Sequence, residues 1–124
     1  MSHVASILIV ETQPSTAEMY SGLIENAGYN VLTASDIETA GQILNGIEVD
    51  LILLTYEPEA HAWVSRIHTD GKNEKVGVIF MTHIQRRQIP GGLSDAVWFM
   101  DKPLRPEAFL RAFQTTLEKI EAGD

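Results

Sequence analysis

Residues 49–58 read VDLILLTYEP. Leu51, Ile52, Leu53 and Leu54 run without alternation into Thr55, Tyr56, Glu57 and Pro58. A short continuous apolar run that ends in turn residues fits a strand covered on both faces, as strands of parallel sheets are. The polar tail marks the point where such a strand, placed here at 49–55, surfaces at a site. The residue it delivers there is Thr55, a weak nucleophile and a poor ligand for a hard metal ion. Why a buried strand should carry an uncharged hydroxyl to its tip depends on the rest of the chain.

The same kind of run recurs on either side. SILIV (6–10), YNVLTAS (29–35), VGVIFMT (76–82) and DAVWFM (95–100) read as further strands. Helical spacing fills the intervals. Met19, Tyr20, Leu23, Ile24 and Ala27 follow Pro14, which a first helical turn tolerates, and Gly28 supplies a stop. Asp36 is placed to cap a helix whose Ile37, Ala40, Gly41 and Leu44 share a face. A third helix is expected over 59–69, with Ala62, Trp63 and Ile67 inward. A last one opens at Pro106 and buries Phe109, Phe113, Leu117 and Ile120. Strands alternating with helices predict an α/β domain, a five-stranded parallel sheet with helices on both faces. Sites in such sheets lie beyond the carboxyl ends of the strands. Those ends deliver Glu11 and Thr12, Thr55, Thr82 and Lys102.

The chain has 124 residues, 44% hydrophobic and 21% charged, which suits one globular domain over 1–124. There is no cysteine, so disulfides, thiolate metal sites and a cysteine nucleophile are excluded. A formal charge of −8 opposes general binding to nucleic acid. No apolar run approaches the roughly 18 residues of a membrane span. The opening MSHVAS lacks the basic stretch and apolar core of a secretory signal, and a cytoplasmic protein is expected.

In order and spacing these segments resemble the receiver domain of two-component response regulators, from Ile7 to about Ile120. ILIVETQPSTAEMYSGLIENAGYNVLTASD is similar to the receiver opening, and DLILLTYEP to the segment that carries the phosphorylated aspartate. VIFMTH is similar to the strand that ends in the switch Thr or Ser, here Thr82. WFMDKPLRPEAFLRAF resembles the Lys-Pro segment, matched by Lys102 and Pro103, and the switch aromatic falls on Phe99. The resemblance implies a flavodoxin-like fold with strand order 2-1-3-4-5. It also implies a role in phosphorelay signal transduction, with a histidine kinase or other signalling protein as partner. A second copy of the chain is another candidate partner.

The departures from the family fall on its chemistry. Receivers hold Mg²⁺ with two acids after the first strand and the acceptor aspartate, and Lys and Thr meet the phosphoryl oxygens. Phosphoryl transfer is mostly positioning and charge neutralisation, and Mg²⁺ needs several hard oxygen ligands. Glu11-Thr12 keeps one acid of two, and Thr55 stands at the acceptor position. The expectation is therefore a pseudo-receiver: no catalytic residue, no metal site, no cofactor, and a signalling role exerted by protein contact. Two alternatives are a receiver that accepts phosphate on an unusual residue and a small-molecule-binding module in the vacant crevice.

Side-chain expectations follow. Thr55 bonds to neighbouring backbone, and Glu57 and His83, both near strand ends, are candidate bases for it. Lys102 pairs with Glu11, and Thr82 keeps a local hydrogen bond. Glu57 is an exposed loop residue. His61 and His68 lie on the surface, about 10 Å apart on one helix face at 1.5 Å per residue, too far for one metal. The loop after the third strand is shorter than receivers usually have. Pro90-Gly91-Gly92 interrupts any helix between the fourth and fifth strands. Trp98 and Phe99 offer an apolar contact surface, or Trp98 packs inward.

Overall fold

The helices α1 (Pro14–Asn26), α3 (Pro58–Ile67) and α4 (Pro106–Ala122) each begin at a proline, whose fixed φ and missing N–H suit a first turn. The remaining helix, α2 (Ile37–Gly46), starts after Asp36, whose Oδ1 accepts from Thr39 N at 2.7 Å. The chain leaves α1 through Gly28 at φ 105°, a left-handed conformation that glycine adopts without strain. The structure, a computed structural model, describes residues 4–102 and 105–122. Pro103, second half of the Lys-Pro pair, lies outside them.

The strands are β1 (Ser6–Val10), β2 (Asn30–Ala34), β3 (Leu51–Thr55), β4 (Gly77–Thr82) and β5 (Val97–Asp101). They form one parallel sheet in the order β2-β1-β3-β4-β5. Register sorts the apolar residues into rows. Val10, Leu54, Phe80 and Phe99 align and pack, with Leu8, Ile52 and Val78, against α2 and α3. Ile9, Leu53, Ile79 and Trp98 align on the opposite face and pack against α1 and α4. Both faces are covered, which explains the unbroken apolar runs. Among the described residues no helix is long and apolar enough to cross a membrane.

Details of α3 and β3 differ from expectation, whereas the segment between β4 and β5 is interrupted as expected. Helix α3 ends at Ile67, and its inward stripe is Ala60, Trp63, Val64 and Ile67; Ala62 is exposed, one residue off that stripe. Strand β3 begins at Leu51, although Val49 before it is buried. Between β4 and β5 the only helical turn among the described residues is a single 3-10 turn, Arg86–Gln88, because Pro90 lacks an N–H for a longer ladder.

Candidate functional site: a crevice at the carboxyl ends of β1 and β3

From β1 the chain turns to β2 on one side, then crosses to β3 on the other. The winding reverses between β1 and β3, and the loops that leave their carboxyl ends diverge. A crevice of about 430 Å³ opens there, lined among others by Glu11, Thr12, Asp36, Thr55, Glu57 and Lys102. The topology thus brings the expected site residues of strands one, three and five together. Thr82, at the end of β4, stands beside the group and not in its lining.

Thr55 ends β3 half-buried, and its Oγ1 accepts from Lys102 Nζ at 2.7 Å. Lys102 is aimed by its backbone, because Lys102 N bonds to Thr82 O at 2.7 Å and extends the β4–β5 ladder. The expected Lys102–Glu11 ion pair does not form. Glu11 Oε2 turns back and accepts from Gln13 N at 2.9 Å, with a long contact from Thr12 Oγ1 at 3.4 Å. A local bond to an N–H next to a helix start orders fewer groups than a reach across the crevice. Thr55 likewise bonds to a side chain and not to backbone. Thr82 is buried and its Oγ1 accepts from Ile84 N at 3.1 Å, the local bond expected of it.

The charges around the crevice are fixed locally. The Thr39 bonds hold the Asp36 carboxyl below its ordinary range, so its charge is committed to the α2 cap. Burial raises the Tyr20 phenol, and the negative charge of Glu11 raises it further. Glu57 is exposed at the start of α3 and makes no capping hydrogen bond there. Neither Glu57 nor His83 hydrogen-bonds the Thr55 hydroxyl, so no base is in place to activate it. Among the described residues no three carboxylates or imidazoles gather closely enough to hold a metal ion.

Of the two histidines expected on the surface, His68 is buried and His61 is half-buried. His68 is 7% exposed; its Nε2 donates to Val76 O at 2.8 Å and its Nδ1 accepts from Ser94 Oγ at 2.9 Å. His61 Nε2 donates to Gly91 O at 3.0 Å, and its Nδ1 accepts from the Tyr56 hydroxyl at 2.8 Å. These roles follow for neutral rings, because a nitrogen that faces a carbonyl must carry the proton. Between them Ser65 Oγ donates to Gly92 O at 3.0 Å. His61 and Ser65 of α3 and His68, the residue that caps its carboxyl end, recur at helical spacing. They meet Gly91, Gly92 and Ser94 in order, and so clasp the segment that replaces a helix. Sequence reasoning missed this arrangement. The only signal was a polar stripe at helical spacing in one segment and a Gly-Gly pair in another.

Trp98 and Phe99 are half-buried on opposite faces of β5, with Phe99 stacked on Phe80 at 5.9 Å. Both line a groove of about 500 Å³ with residues 89–95 and with Thr116 and Lys119 of α4.

Similar solved structures include receivers. Over 91% of this chain and 98% of its own, the chemotaxis protein CheY4 of Vibrio cholerae superposes with a TM-score of 0.75 at 23% identity. The receiver domain of a signal transduction histidine kinase from Syntrophus aciditrophicus gives 0.76 at 22% identity, over 94% of this chain and 92% of its own. A response regulator from Thermotoga maritima gives 0.75 at 17%, over 94% and 99%. No family model and no curated protein matches the chain. At these identities the likeness establishes the fold, which is the CheY-like receiver fold of response regulators.

Proposed function

We propose that this chain is a non-enzymatic receiver-like signalling module. It acts in the cytoplasm by protein–protein contact, without phosphoryl transfer and without Mg²⁺. The observation that carries the reading is the Lys102–Thr55 bond of 2.7 Å, which puts a hydroxyl in the acceptor position with its lone pair turned to an ammonium. A hydroxyl so engaged, with no base beside it, is a poor nucleophile. The groove along Trp98 and Phe99 supports contact with a histidine kinase, another signalling protein or a second copy. Incubation with acetyl phosphate and Mg²⁺ tests the reading: intact mass stays unchanged. One phosphoryl group per chain, mapped to the end of β3, overturns it and favours an unusual phosphoacceptor.

The persistence of the 430 Å³ crevice favours one second reading, a small ligand seated where the phosphoryl site lies in receivers. A metabolite that raises the melting temperature, and loses that effect in Lys102→Met, would support it.

A further inference from the structure

The resemblance to receivers assigns the passage from site to output surface to Thr82 and Phe99. In this chain Thr82 is 4% exposed and its hydroxyl is engaged by Ile84 N, while the Phe99 ring stacks on Phe80. Another connection stands beside them. Tyr56 directly follows Thr55, and its backbone N bonds to Met81 O at 2.8 Å, which anchors it to β4. Its ring packs edge-on against Phe80 at 5.1 Å and against His61 at 5.6 Å. Its hydroxyl donates to His61 Nδ1, and His61 Nε2 donates to Gly91 O.

We infer that Tyr56, His61 and the Gly91 carbonyl form a relay that couples the tip of β3 to the strap of residues 83–96, in place of the Thr82–Phe99 route. Among the described residues the strap has few other hydrogen bonds to α3 and its C-cap. Beyond His61 they are Ser65 Oγ to Gly92 O and Ser94 Oγ to His68 Nδ1. Pro90, Gly91 and Leu93 of the strap also line the groove beside Trp98 and Phe99. A shift of Tyr56 moves His61, and His61 holds the carbonyl that shapes one wall of that groove. Tyr56 and His61 are positioning residues here, for they act on the groove through the strap. This inference rests on the signalling reading above, but its test involves neither phosphoryl donor nor partner.

The test uses the full chain under native conditions. Amide hydrogen exchange is followed across residues 89–96, and tryptic cleavage after Arg87 gives a second measure of strap opening. Tyr56→Phe removes one hydroxyl and leaves the ring packing in place. Loss of one hydrogen bond of ordinary strength should raise strap opening about fivefold, with cleavage rising in parallel when reclosing is fast. His61→Gln should raise it at least as much, and adding Tyr56→Phe to it should have little further effect, because the hydroxyl acts through the imidazole. Ser65→Ala should add its effect to that of Tyr56→Phe. The relay is overturned if Tyr56→Phe leaves exchange of 89–96 unchanged. It is equally overturned if the Tyr56 and His61 effects simply add, or if faster exchange spreads alike through β1 and β3, which marks global unfolding.

Discussion

At the tip of β3 stands a hydroxyl, at the position whose resemblance to receivers implies an acceptor carboxylate, and Lys102 Nζ approaches it to 2.7 Å. The ammonium keeps its place because its backbone is laddered to Thr82, not because a charge attracts it. A charged hydrogen bond is worth about 1.5–3 kcal/mol net in favourable settings, and half-exposure lowers that through competition from water. Lys102→Met and Thr55→Val should therefore be coupled by about 1 kcal/mol in a double-mutant cycle read by urea unfolding. Lys102→Met and Glu11→Gln should add, since Glu11 bonds to Gln13 N instead. Coupling of the latter pair would mean that the two charges meet in solution after all. The positions of Glu11, Thr55 and Lys102 were legible in the sequence; their partners were not, because a side chain of that length can reach several acceptors.

Helix α2 depends on one side chain at its start. The Asp36 carboxylate takes Thr39 N at 2.7 Å, and that bond holds its pKa below the ordinary value. A folded value beneath the unfolded one makes the cap's contribution complete above the unfolded pKa and lost as pH falls through the folded one. Urea midpoints should fall across that acid window. Asp36→Asn keeps an acceptor for Thr39 N and should flatten this part of the profile; an unchanged slope would assign it to other carboxylates. The cap could be read from the sequence because it spans three residues. The grip of α3 on residues 91–94 could not. Its partners lie 26 to 30 residues apart, and nothing local in QRRQIPGGLSD says which helix will hold it.

On the scale of the whole molecule, one sheet carries two apolar layers, and neither can exist without it. Trp63 belongs to the layer under α2 and α3, and Trp98 packs into the layer under α1 and α4. The layers should unfold together. In Trp63→Phe and in Trp98→Phe, fluorescence from the remaining tryptophan should give the same urea midpoint as circular dichroism; separated midpoints would mean that the layers melt independently. The crevice is also a property of the sheet. If its geometry survives substitution, Thr12→Asp combined with Thr55→Asp should make the melting temperature respond to millimolar Mg²⁺, where the unaltered chain should not respond. No response in the double variant would point to the short loop after β3 as a missing source of ligands. The sequence alone determined the alternation of strands and helices, the double-sided burial of the sheet and the residue at each strand end. These rest on local periodicity and on turn residues, which act over a few positions. Only the tertiary structure decided that Lys102 bonds to Thr55 and not to Glu11, that His61 and His68 bond to the strap, and that the Tyr56 hydroxyl bonds to His61. Those outcomes depend on distances between segments far apart in the chain, which are set when β3, α3 and the β4–β5 segment pack against one another.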